Sequence, residues 1–174
     1  MFRELNNLKV FFENPSKEIN VREFARILKI SPATASKKLE RFSKEKMLKK
    51  RKFKNFNLFQ LNIENEEIIE IKKFYNLKKL KESGLIEELN KFYLKPTIIL
   101  FGSFYEGFDN ESSDVDLVII SEKDKEFNQK EKFEKKLKRR LQIFVVKKIS
   151  EIKNKHLINN ILNGTKIQGE IKWI

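Results

Sequence analysis

Cysteine is absent from the 174-residue chain, and histidine occurs once, as His156. Disulfides, zinc–thiolate centres and a cysteine nucleophile are thereby excluded, and imidazoles cannot form a metal cluster. Proline and glycine are scarce, with 3 and 5 residues, and no segment has the composition of a flexible tether. No apolar run approaches the ~18 residues of a membrane span. The opening MFRELNNLKVFF carries charges inside an amphipathic pattern, which is not the layout of a leader. A soluble, cytoplasmic protein without a membrane partner is the expectation. Neither an internal repeat nor a low-complexity segment occurs.

What the chain does have is a 40% apolar share, enough for a core, with 16 Phe, and a net charge of +13. The charge is uneven. Residues 1–62 carry 16 Lys/Arg against 6 Asp/Glu, whereas residues 63–94 are nearly balanced, at 6 against 7. Residues 95–174 carry 16 against 12. The N-terminal third therefore holds most of the excess, and a polyanion such as nucleic acid is its natural counter-ion.

That third reads as two helices in tandem. Asn20 with Glu23 has the capping-box spacing, followed by Phe24, Ala25 and Leu28 on one stripe. Ser31 is the next expected cap, with Pro32 at the first helical position, where a missing N–H costs nothing. Ala35, Leu39 and Phe42 form the second buried stripe, and only Lys29 and Ile30 separate the helices. Beyond them, KMLKKRKFKNFNLFQLN suggests two short strands turning at Lys54-Asn55, with Met47, Leu48, Phe53, Phe56, Leu58 and Leu61 as apolar positions. Residues 20–62 resemble a winged helix-turn-helix DNA-binding domain. Lys46 stands where that family often has glycine. The resemblance implies that Ala33, Thr34, Ser36 and Lys37 reach base edges in a major groove. The wing lysines Lys50, Lys52 and Lys54 would contact phosphate, which gives affinity without sequence information, and Lys38, Arg41 and Arg51 complete the expected DNA-binding set. Double-stranded DNA is the expected partner, RNA the alternative for the same basic face, and a merely solvated basic surface the plainer reading. Proteins of this group often dimerise, so a homodimer is open.

Residues 63–94 read as a helical connector. Ile68, Ile71, Phe74 and Leu77 follow a helical period, Gly84 interrupts it, and Leu85, Ile86, Leu89 and Phe92 continue on a second helix. Pro96 ends it.

In residues 95–174, TIILFG is an apolar, β-branched run ending in glycine, and DVDLVIIS is a second run. A strand places Asp114 and Asp116 on one face, about 6.5–7 Å apart along the chain. Two such carboxylates repel each other in a poorly solvated site. No Lys or Arg occurs from 96 to 122, whereas Glu106, Asp109, Glu111, Asp114, Asp116 and Glu122 do. A hard divalent cation with oxygen ligands, Mg²⁺ or else Mn²⁺, is the simplest partner. Gly102 lets backbone approach a bulky anion, the Ser103 hydroxyl can donate to it, and a helix opening there faces its N–H groups toward phosphate. A nucleoside triphosphate with its metal fits both halves.

The sequence L-F-G-S, ten residues, then D-V-D-L resembles the minimal nucleotidyltransferases of the DNA polymerase β superfamily. The likeness covers roughly residues 97–171, including a helix near 128–140, a strand at LQIFVV, and a terminal helix, glycine turn and strand in LINNILNGTKIQGEI. The expected fold class is α+β: a winged helix-turn-helix over 1–62, a helical connector over 63–94, and a small mixed-sheet domain over 95–174. The resemblance implies that Gly102 and Ser103 bind the nucleotide, with ATP expected, and that Asp114 and Asp116 are the catalytic metal ligands. It implies transfer of a nucleotidyl group to a protein or nucleic-acid acceptor. Two departures stand out. Gln142 occupies the family's third carboxylate position, and no acid lies between 135 and 150. Phe104, Tyr105 and Glu106 stand where the family has basic residues after Gly-Ser. Three readings follow: an active transferase; a regulator whose transferase-like domain serves as sensor or scaffold; and an antitoxin-type transferase that modifies a HEPN toxin partner.

Overall fold

The structure, a computed structural model, describes residues 2–171 and the side chains from residue 6. Met1 and residues 172–174, at the outer ends of the expected domains, lie outside the described residues. The chain divides into two compact units, Met1–Tyr75 and Asn76–Ile174. The division falls inside a helix.

The first unit contains α1 (Phe2–Glu13), β1 (Ile19–Asn20), α2 (Val21–Leu28), α3 (Pro32–Lys44), β2 (Leu48–Phe53) and β3 (Phe56–Leu61). The Asn20 side chain accepts from Glu23 N, and the Ser31 side chain accepts from Thr34 N. Each satisfies a backbone donor that a helix start leaves orphaned. Lys29 takes the left-handed conformation at φ 53°, closing α2 so that α3 begins almost at once. Lys46 sits at φ 56°, the conformation a glycine would take more easily. Its carbonyl accepts from the side chains of Asn62 and Asn65.

The strands form an antiparallel sheet in the order β1-β3-β2, with Phe53 opposite Phe56 across the Lys54-Asn55 turn. Ala35, Leu39 and Phe42 are fully buried, together with Leu8, Phe11, Phe12, Phe24, Phe59 and Leu61. Phe53 and Phe56, expected among the apolar positions of the hairpin, are about half exposed at its tip. The hairpin outruns the core there.

The second unit begins within α4 (Glu66–Glu82) and continues with α5 (Leu85–Tyr93), β4 (Thr97–Phe101), α6 (Gly102–Glu106) and β5 (Val115–Ile120). It ends with α7 (Lys130–Leu137), β6 (Leu141–Val146), a 3₁₀ turn at Ile149–Glu151, α8 (Lys155–Leu162) and β7 (Thr165–Gln168). The sheet order is β6-β5-β4-β7; β5 and β6 run parallel and the other pairs are antiparallel. This is a mixed α+β architecture. Val115, Leu117 and Ile119 face one apolar layer with Leu85, Leu89, Phe104, Phe133 and Leu137. Val118, Ile99, Phe101, Ile149 and Ile161 face the other. Along α4, Ile68, Ile69, Lys72, Asn76 and Leu80 are buried; of the expected stripe, Ile68 is buried, Ile71 and Leu77 are half-buried against the apolar cores of their own units, and Phe74 is exposed. Among the described residues, no helix is long and apolar enough to cross a membrane.

Candidate functional site

β4 is buried along its whole length and delivers the chain to Gly102. Gly102 adopts φ 75°, and a Cβ built there would lie 2.4 Å from Asp116 Oδ2. Glycine is required twice over, by the left-handed backbone and by the carboxylate against its Cα. The contact follows from register, because Phe101 pairs with Asp116 across β4 and β5. Ser103 then opens the short helix α6, which the buried Phe104 ring anchors.

The loop between α6 and β5 is held by polar contacts. Asn76 Nδ2 donates to the Phe104 carbonyl at 2.8 Å and to Asp109 Oδ1 at 2.7 Å. Asp109 is buried and also meets the buried Arg139, whose Nη2 is 3.4 Å from Asp109 Oδ2. Ser112 N donates to Asn110 Oδ1, and Asn110 N donates to Ser113 Oγ, tightening the turn that leads into Asp114.

Asp114 and Asp116 emerge on one face of the sheet, as alternation requires. Parallel pairing with β6 places Gln142 abreast of Asp116, and Val115 N donates to the Arg140 carbonyl at 2.8 Å. Paired residues in a parallel sheet share a face, so Asp114, Asp116, Arg140 and Gln142 form a two-by-two array. Arg140 Nε donates to Asp114 Oδ1 at 3.2 Å. Among the described residues no basic side chain meets Asp116. Burial first, and then the Asp114 charge, raise its pKa to about 6.

This arrangement corrects one step of the sequence argument. The stretch 96–122 lacks bases, yet two of its acids meet arginines from outside it: Asp109 meets Arg139, and Asp114 meets Arg140. The cation requirement therefore rests chiefly on Asp116. Asn76, Arg139 and Arg140 went unrecognised in the sequence. Parallel pairing of the two apolar runs would have found Arg140, since it lies two residues before Gln142 just as Asp114 lies two before Asp116. No comparable signal pointed to Asn76.

Two adjacent carboxylates, one without a countercharge among the described residues, suit one divalent cation whose remaining ligands come from phosphate and water. A second cation would need a further acid. Gln142 is neutral, and among the described residues no group of three or more acidic or imidazole side chains is arranged for a metal.

On the first unit, Ala33, Thr34, Lys37 and Arg41 are exposed along α3, with Ser36 and Lys38 partly exposed. Glu40 interrupts this surface and accepts from Lys50 Nζ at 2.7 and 2.9 Å. Arg51 forms a two-pronged pair with Glu18 at 2.8 and 2.6 Å, which holds the Glu18 carboxyl below its usual range. Lys50 and Arg51 are thus engaged by acids, whereas among the described residues no acid pairs with Lys37, Lys38, Lys52 or Lys54.

Comparison with known proteins comes from one family model, described as Polymerase beta, Nucleotidyltransferase, which matches residues 84–170, half of the chain. No curated protein matches the chain.

Proposed function

The chain belongs to the polymerase β nucleotidyltransferase family, and on that premise we propose that its C-terminal unit binds a nucleoside triphosphate, ATP foremost, with one Mg²⁺ or Mn²⁺ at Asp114 and Asp116, and transfers the nucleotidyl group to a hydroxyl of a protein or nucleic acid. The observation that carries this reading is the Gly102 turn packed against the Asp116 carboxylate, which brings an anion site and a cation site together. Gly102 admits a phosphate close to the backbone, and Ser103 offers it a hydroxyl donor. Asp114 and Asp116 hold the cation. When bound, that ion neutralises phosphate charge and polarises the α-phosphate. The acceptor oxygen forms a bond to the α-phosphorus, the bond to the β-phosphate oxygen breaks, and pyrophosphate leaves with the electron pair. Gln142 is no base, so the acceptor proton passes to water.

The first unit is proposed to be a winged helix-turn-helix that brings the transferase to double-stranded DNA. Support comes from the two capped helices across a two-residue connection, the following hairpin, and Lys37, Lys38, Lys52 and Lys54, which meet no acid among the described residues. Affinity for duplex should fall steeply with salt, and replacing Lys52 or Lys54 with Ala should flatten that slope by about one unit for each lost phosphate contact. Binding that ignores both salt and substitution would refute the DNA reading.

The transferase reading is tested with purified protein, α-labelled ATP, and Mg²⁺ or Mn²⁺. Label should appear on protein or nucleic acid and disappear in Asp114→Ala. Absence of both label and nucleotide binding would refute it. A second reading, a nucleotide sensor or scaffold with little transfer activity, is favoured by Gln142 standing abreast of Asp116. Under that reading ATP binds without label transfer, and Gln142→Asp raises the transfer rate.

A further inference from the structure

We propose that Arg140 is an exchangeable countercharge: it occupies the cation's place on Asp114 in the free protein and turns to the phosphates of the incoming nucleotide when the divalent ion arrives. This rests on the nucleotide-binding reading above and adds a residue to it.

In the two-by-two set, one row pairs Asp116 with neutral Gln142 and the other pairs Asp114 with cationic Arg140. The Arg140 backbone is fixed by the Val115 N–H, whereas its side chain is 78% exposed and free to swing. Among the described residues only Nε is engaged, which leaves the Nη edge of the guanidinium uncommitted, and that planar fork matches phosphate oxygens. The triphosphate needs such a group, because Phe104, Tyr105 and Glu106 follow Gly102-Ser103 without a base. Arg139 cannot serve, being buried against Asp109.

Metal and nucleotide binding are therefore linked. A bare cation must displace the guanidinium from Asp114 and offers it nothing in return. A metal-bound triphosphate displaces it and supplies phosphate oxygens as the new partner. Removing Arg140 should change the two affinities in opposite directions, which a residue with a purely structural role would not do.

The test is titration of the full chain and its Arg140→Ala variant with Mn²⁺ alone, followed by paramagnetic resonance of the free ion, and with ATP at saturating Mg²⁺, followed by calorimetry. The variant should bind bare Mn²⁺ about 2- to 5-fold more tightly, since an exposed ion pair is lost as competitor. It should bind Mg·ATP about 5- to 10-fold more weakly, since a charge-assisted phosphate contact is lost. Arg140→Lys, which keeps the charge without the fork, should lie between the two in both titrations. The high exposure of this side chain leaves the fold intact, and matched thermal melts check it. Unchanged affinities, or two changes of the same sign, overturn the role of Arg140 while leaving the nucleotide site standing. Failure of the wild-type chain to bind Mg·ATP overturns both.

Discussion

Removing the Asp116 carboxylate should stabilise the protein in the absence of divalent cations. Asp116 is partly buried beside Asp114, and its pKa is raised from 3.8 to about 6. The folded state thus favours the protonated acid, and between pH 4 and 6 it holds more protons than the unfolded chain. Stability must fall as pH rises through that window and stay lower above it. A shift of about two units corresponds to at most ~3 kcal/mol. Because the side chain is only partly buried, solvent screening reduces this to ~1–2 kcal/mol. Asp116→Asn keeps the shape and removes the charge. Urea unfolding followed by far-ultraviolet circular dichroism, with chelator present, should show the variant more stable than wild type at pH 8. The gap should close toward pH 4. Mg²⁺ should narrow the pH 8 gap from the wild-type side, because the ion relieves the same repulsion. A variant less stable than wild type at pH 8, or a gap independent of pH, would refute the account of the acid pair.

Gly102→Ala should cost about 2 kcal/mol or more, since the new Cβ would lie 2.4 Å from Asp116 Oδ2 on a backbone at φ 75°; a thermal melt equal to wild type would show that the carboxylate moves freely. Arg139→Ala leaves Asp109 buried without its guanidinium and should cost ~3–5 kcal/mol, measured by urea unfolding; a loss below ~1 kcal/mol would mean that the pair does not hold the loop. Lys46→Gly should gain ~1 kcal/mol, because φ 56° suits glycine better than lysine, and a melt that falls instead would show that the lysine side chain contributes more than its backbone strain.

Much of this fold could be read from the chain directly. The caps at Asn20 and Ser31, the two-residue connection after α2, the turn at Lys54-Asn55 and the strands around Gly102 all emerged where the sequence predicts them. These features depend on backbone groups and side chains a few residues apart, so local pattern carries them. The Asp114 and Asp116 pair and the position of Gln142 were legible for the same reason: strand alternation decides which face a residue takes.

Other features depended on which strands lie side by side. The pairing of β5 with β6 brings Arg139 and Arg140 to acids 26 to 30 positions earlier in the chain, and this decides which carboxylate keeps a charge unmet. Pairing of β4 with β5 makes Gly102 indispensable, because it lays Asp116 over that Cα. The buried face of α4 and the exposure of Phe53 and Phe56 likewise depend on how far each core extends. Local propensity cannot encode these outcomes, since hydrogen-bond register between distant segments is chosen by the packing of the whole sheet rather than by any one stretch within it.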